Sequence, residues 1–398
     1  MRVLLVNDHG TPTGGAELQV LALRDGLRAR GHEVRLLTSR AVQVPGPVLA
    51  DDTCFGTNAE RLQVLSRTVN PSAVRAVHRL LRELRPDVVH LRMFLNQISP
   101  AVLPLLREVP VVSHVVTYKS ICPRGTKVLP DGARCTEPAG RACLRHRCVT
   151  PQSWLFDMAQ LQAVRHWRSV VDATIAPSQA VRRRLEDAGV PRVEVLANGV
   201  ATRPARPRLT GPPTVGYVGR LVPEKGVDVL LEAVARVRQQ VPDVRLLVIG
   251  SGPEAGPLRR RADALGLAVE MTGHLDRSGV ERRMDDAWLQ AIPGRWEEPF
   301  GNVVTEAMVR GTAVVASDLG GPADVVEPGV SGALVPPGDV AALAEALLRY
   351  VADRSAAEQA GAAGRRLALA HHTREAVLDR LEGLYGRVAL QPGRPAVG

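Results

Sequence analysis

Three scarcities bound what this chain can be. Aromatic residues fill only 3% of its 398 positions, and lysine occurs only at Lys119, Lys127 and Lys225 although the net charge is +10. With so few rings, and none interleaved among arginine-rich stretches such as residues 180–184 and 258–261, a base-stacking surface for single-stranded nucleic acid is excluded. The arginine excess reads as solvated helix faces, and it leaves loose contact with an anionic membrane open. No run approaches the ~20 apolar residues that cross a bilayer. The opening Met1-Arg2-Val3-Leu4-Leu5-Val6-Asn7 turns polar at once and reads as a buried strand rather than a secretory leader, so a cytoplasmic protein is expected. Asp-x-Asp is absent, so a carboxylate pair holding a catalytic metal is not indicated.

What is present is alternation. Short β-branched runs at 2–6, 33–37, 87–91, 109–116, 173–176 and 193–196 predict strands, and the amphipathic stretches 16–30, 73–84, 99–107, 152–168 and 178–188 predict helices. The pattern restarts after Pro204-Ala205-Arg206-Pro207-Arg208, with strands expected at 214–218, 245–249, 269–272, 288–292, 313–316 and 333–335. Strands alternating with helices imply parallel sheets covered on both faces. The expectation is an α/β protein of two doubly wound, Rossmann-like domains, 1–203 and 204–373, joined near residue 205. A last helix at 374–390 would cross back to the first domain, and the tail 391–398 would fray.

The motifs cluster where such sheets bind ligands, beyond the carboxyl ends of strands. Gly14-Gly15 opens the first helix, where glycine lets backbone approach a ligand, although a plain strand–helix turn explains it equally well. It is not Gly-x-Gly-x-x-Gly, which weakens a nicotinamide or flavin reading. Gly219-Arg220 and Lys225-Gly226 follow the first strand of the second domain. Two cations there suit a diphosphate, Arg by its fork and Lys as a point charge; the competing reading is a pair of solvated charges. Gly250-Ser251-Gly252 and Thr272-Gly273-His274 end the next two strands.

The densest signal is Trp296-Glu297-Glu298-Pro299-Phe300-Gly301-Asn302-Val303-Val304-Thr305-Glu306, with Glu298 and Glu306 eight positions apart. Asn302 is the expected N-cap of a helix whose first N–H groups would meet an anion. Glu298 would then face one side of a bound diphosphate and Glu306 the hydroxyls on the other, a geometry that suits a nucleotide-sugar. The competing reading is an amphipathic helix with surface glutamates.

In this order, with Asn198-Gly199-Val200 and Gly320-Gly321, these motifs resemble the retaining glycosyltransferases of family 4 over essentially the whole chain. The resemblance implies the GT-B fold, two Rossmann-like domains facing across a cleft. It implies that Arg220 and Lys225 hold the donor diphosphate and Glu298 contacts the donor sugar. Backbone amides of Phe300, Gly301, Asn302 and Val303 would meet sugar and phosphate, and Glu306 would bind the ribose. Gly14, Gly15, Gly219, Gly252 and His274 complete the expected nucleotide-sugar contacts. The reaction implied is retaining transfer from a nucleoside-diphosphate sugar, with uridine diphosphate the expected handle, to a glycan, glycolipid or small aglycone, without a catalytic metal. A nucleotide-sugar 2-epimerase and a catalytically silent sugar-nucleotide-binding protein remain as alternatives. One departure stands out: Val116-Thr117-Tyr118-Lys119 occupies the place of the His-Asp-Tyr-Lys that many relatives carry. His114, two residues earlier on the same strand face, is the candidate substitute, and a core histidine is the rival reading.

Cys122, Cys135, Cys143 and Cys148 fall within 27 residues of turn-forming sequence, an insertion at 122–148, with Cys54 apart. Four thiolates would close a structural zinc site, with His146 able to replace one; spacings of 12, 7 and 4 residues lack Cys-x-x-Cys, and free thiols, disulfides and an iron–sulfur cluster stay open.

Overall fold

The computed structural model describes residues 1–12, 14–42 and 46–390, so the expected fraying of 391–398 lies outside the described residues. The chain divides into two compact units, 1–199 with 375 onward, and 200–374.

Unit 1 holds β1 (Arg2–Asn7), β2 (Glu33–Ser39), β3 (Asp52–Cys54), β4 (Val88–Leu91), β5 (Val111–His114), β6 (Ala173–Ala176) and β7 (Val193–Val195). They form one parallel sheet in the order β3-β2-β1-β4-β5-β6-β7. Alternate residues of β1 explain how two layers coat it. Leu4 and Val6 enter the core with Leu80 and Leu103, whereas Val3 and Leu5 enter the core with Leu27 and Leu381. Its helices are α1 (Gly15–Ala29), α2 (Glu60–Thr68), α3 (Pro71–Leu84), α4 (Arg141–Arg145), α5 (Pro151–Trp167) and α6 (Gln179–Asp187). Asn70 caps α3 by accepting from the Ala73 N–H at 3.1 Å. The helix expected at 99–107 is a 3₁₀ segment, Pro100–Leu106. Pro104 inside it has no N–H for an α-helical ladder.

Unit 2 holds β8 (Thr214–Val218), β9 (Arg245–Ile249), β10 (Val269–Gly273), β11 (Leu289–Ile292), β12 (Ala313–Ser317) and β13 (Gly332–Val335) in the parallel order β10-β9-β8-β11-β12-β13. Every residue of β11 and β12 is buried, as strands covered on both faces require. Around them lie α7 (Val227–Val237), α8 (Ala255–Ala264), α9 (Arg277–Met284), α10 (Asn302–Arg310), α11 (Gly321–Val325), α12 (Val340–Val351) and α13 (Arg354–His371). The proline-rich segment expected as a linker is tied into this unit. Arg206 donates its N–H to the Arg310 carbonyl at 2.7 Å, and Arg310 donates to the Pro204 carbonyl at 2.7 Å. Val200 bridges Thr373 within this unit.

The last helix, α14 (Arg374–Ala389), lays Leu381 and Tyr385 into the unit 1 core and pairs Arg30 with Asp379 and Glu382. No described helix is long and apolar enough to cross a membrane.

Candidate active site

Strand order reverses in unit 2 between β8 and β11, and the loops leaving their carboxyl ends carry the singled-out residues. The loop after β8 is braced from inside the sheet. Tyr217 is buried and donates its hydroxyl to the Arg220 carbonyl at 2.9 Å, over the space that a Cβ on Gly219 would need. Arg220 itself is exposed. Leu221 donates its N–H to the Ser251 carbonyl at 2.9 Å, and Gly252 packs so tightly on the Leu221 backbone that a Cβ would collide. The β8 and β9 loops are thereby one surface. His274 follows β10 and is exposed.

The loop after β11 brings the first glutamate to the lysine. Lys225 Nζ stands 2.8 Å from Glu298 Oε2 and 5.7 Å from the centre of the Trp296 ring. Both charged side chains are mostly shielded, with 16% and 20% exposure. The Gly321 N–H donates to the Glu298 carbonyl at 2.7 Å, and Gly321 lies against the Phe300 backbone where only a hydrogen fits. The Phe300 ring is buried, 6.1 Å from the His372 ring, and anchors the loop.

Gly301, at φ +80, turns the chain into α10. This corrects the expectation for Asn302. The left-handed glycine takes the N-cap position, no side chain caps the helix, and Asn302 is its first helical residue, followed by Val303. Glu306 emerges one turn later, exposed at the rim of a pocket also lined by Arg203, Arg277, Glu281, Gln290 and Val303. Desolvation by the surrounding pocket walls raises its carboxyl pKa, against the pull of Arg277. The eight-residue spacing therefore places the two glutamates on different neighbours: Glu298 on Lys225, Glu306 among arginines.

In unit 1, Gly14 is the uncapped N-cap of α1, with Glu17 buried in the first turn. His114 ends β5 with its ring buried, no hydrogen-bond partner on either nitrogen, and stacked 5.4 Å from His90. Burial, then Arg92 and His90, depress its pKa well below 6.5, so the ring is neutral.

Among the described residues no three His, Cys, Asp or Glu side chains stand where they could share a metal ion. All five cysteines are free thiols. Cys122, Cys135, Cys143 and Cys148 interact electrostatically with one another. Cys122 packs with Tyr118 and Ile121, Cys135 donates to the Glu137 carbonyl at 3.8 Å, and His146 is engaged by Glu137 at 2.7 Å.

Two site residues escaped the sequence reading, Tyr217 and Trp296. The only signal was their scarcity, four of each type in the chain.

Two family models match, Glycosyltransferase Family 4 over residues 13–203 and Glycosyl transferases group 1 over residues 201–367. A phosphatidyl-myo-inositol mannosyltransferase of Mycobacterium leprae is 32% identical, covering 88% of this chain and 87% of its own. A GDP-mannose-dependent alpha-mannosyltransferase of Mycolicibacterium smegmatis is 30% identical over 98% of both. Among solved structures, sucrose-phosphate synthase from Thermosynechococcus elongatus superposes with a TM-score of 0.74 at 24% identity, covering 97% of this chain and 98% of that one. The fold is GT-B and the chain is a sugar-transferring enzyme, EC 2.4. The chain belongs to glycosyltransferase family 4.

Proposed function

We propose that this enzyme transfers a hexose from a nucleoside-diphosphate sugar to an acceptor hydroxyl with retention at the anomeric carbon. The observation that carries the reading is the Lys225–Glu298 pair at the β8/β11 reversal, beside the glycine-started α10. The barrier to transfer is charge separation between an oxocarbenium-like sugar and a departing diphosphate. Arg220, Lys225 and the α10 N-terminus would stabilise that leaving group before it forms, which is electrostatic preorganisation. Glu298 would bind sugar hydroxyls and Glu306 the ribose. Loops of unit 1, including the one that carries His114, would receive the acceptor. A neutral, buried His114 would act by shape and polarity, not by proton transfer.

Uridine diphosphate is the expected handle. A second base has a specific observation behind it, the GDP-mannose-dependent relative aligned over 98% of both chains. The phosphatidyl-myo-inositol in the name of the Mycobacterium leprae relative makes a lipid acceptor, met at a membrane face, the corresponding choice.

Thermal stabilisation by UDP, GDP, ADP and dTDP tests the donor site, on wild type and Glu306→Ala. A nucleotide at 100 times its Kd adds about 2.7 kcal/mol. A selective shift that weakens in the variant supports the reading, and no shift with any nucleotide overturns it. Turnover of the matching sugar nucleotide separates an enzyme from a silent binder, and product analysis separates transfer from epimerisation.

A further inference from the structure

We propose that Trp296 is a positioning residue of the donor site, holding the Lys225 ammonium against its indole face where the diphosphate is received. The inference rests on the donor-site reading above. Lysine carries a point charge on a four-carbon stem, so something must confine it if it is to meet a phosphate without reorganising. Here two groups do. Glu298 accepts from Nζ at 2.8 Å, and the Trp296 ring lies 5.7 Å away, within reach of a cation–π attraction.

The two confining groups differ in what happens when a diphosphate arrives. A phosphate oxygen competes with the Glu298 carboxylate for the same ammonium. It does not compete with the ring, whose negative face attracts cations only. Trp296 thus keeps Lys225 in place while Glu298 is released toward the sugar.

The ring is also held at a cost. Its indole N–H is buried with no hydrogen-bond partner among the described residues, a loss that packing for stability alone would favour replacing by an apolar side chain. The backbone fixes it firmly. Glu298 donates its N–H to the Trp296 carbonyl at 2.9 Å, Arg295 donates its N–H to the Glu224 carbonyl at 2.9 Å, and the Arg295 guanidinium pairs with Asp228 at 2.6 Å. Gly226 packs against the Pro293 carbonyl where a Cβ would collide. The loop carrying the ring and the loop carrying the lysine are therefore locked together.

Calorimetric titration of UDP and GDP, and of uridine and guanosine as probes without phosphate, tests this on Trp296→Phe, Trp296→Leu, Lys225→Ala and Lys225→Ala/Trp296→Leu. Trp296→Leu should weaken the diphosphate about fivefold to tenfold, as loss of one shielded cation–π contact implies, and leave the nucleoside unchanged. Trp296→Phe retains a face and should stay within about threefold of wild type. In the Lys225→Ala background, Trp296→Leu should cost nothing more. Equal diphosphate affinity in wild type and Trp296→Leu overturns the role, as does a full additional loss on Lys225→Ala. Failure of wild type to bind either diphosphate removes the donor site itself, and Trp296 with it.

Discussion

The sharpest number in the structure concerns acid. His90 lies fully buried in β4, with Nδ1 2.5 Å from the Tyr385 hydroxyl of α14 and Nε2 without a partner. Burial, then Arg92, pushes its pKa from 6.5 to about 3. In the unfolded chain the same ring titrates near 6.5. Protons therefore bind the unfolded chain first, so stability is complete above pH 6.5, falls below it, and levels off near pH 3. At pH 5 the unfolded ring is about 97% protonated and the folded ring neutral, which removes about 2 kcal/mol relative to pH 7.5. His114 works in the same direction. Asp8 and Asp157, whose carboxyl pKa values burial raises, work in the opposite one.

A difference measurement isolates His90. His90→Gln keeps a polar group near Tyr385 and abolishes the titration. Amide exchange of Val89 and Val112, corrected for intrinsic rates, reports opening of the unit 1 sheet without assuming that the two units unfold together. The wild-type opening free energy should fall between pH 7.5 and pH 5 by about 2 kcal/mol more than that of the variant. Parallel pH dependences in the two proteins would refute the assignment of a buried, neutral His90.

Lys225→Ala should lower kcat by on the order of a hundredfold through lost leaving-group stabilisation, with the melting temperature little changed; a loss confined to KM would refute this. Gly321→Ala forces a methyl onto the Phe300 backbone and should cost about 1–3 kcal/mol while weakening nucleotide binding at least tenfold, read by calorimetry and thermal melting. Asp8 accepts from the N–H groups of Asn96, Gln97 and Ile98 at 2.8, 2.9 and 2.8 Å, so Asp8→Asn, which turns an NH₂ toward these donors, should lose about 1–3 kcal/mol in urea unfolding.

What the sequence made legible, and what it did not, follows from how far each signal reaches. Runs such as Val88–Leu91 and Ala313–Ser317 announce themselves because a strand buried on both faces is mostly apolar, with His90 and Ser317 the exceptions. The glycines after β8, β9 and β12 were legible because close backbone approach leaves no other residue. Element α2 was missed for the opposite reason: its pattern is inverted. It exposes Leu62 and Leu65 and buries Ser66, and its Arg67 turns to Asp157 of α5 at 2.7 Å. That ion pair lies 90 positions away in sequence, and no local periodicity carries it. Strand β3, three residues long, is below any periodic signal.

The same distinction separates the site residues. Glu298 and Glu306 were found as a spacing, yet their spacing says nothing of their partners. Lys225 reaches Glu298 across 73 positions, and Arg277 comes to line one pocket with Glu306 only because α9 and α10 border it. Asn302 was misassigned because capping statistics favour asparagine, whereas the left-handed turn that brings α10 to the loop can be made cheaply only by the glycine before it. The cysteine cluster shows the same limit: clustering in sequence raises the odds of clustering in space, but a metal needs converging lone pairs, and the Glu137 carbonyl and carboxylate engage Cys135 and His146. The pairing of one charge with another was a tertiary fact, and Trp296, readable only as a rare ring beside a glutamate, gains a role once Lys225 is seen above its face.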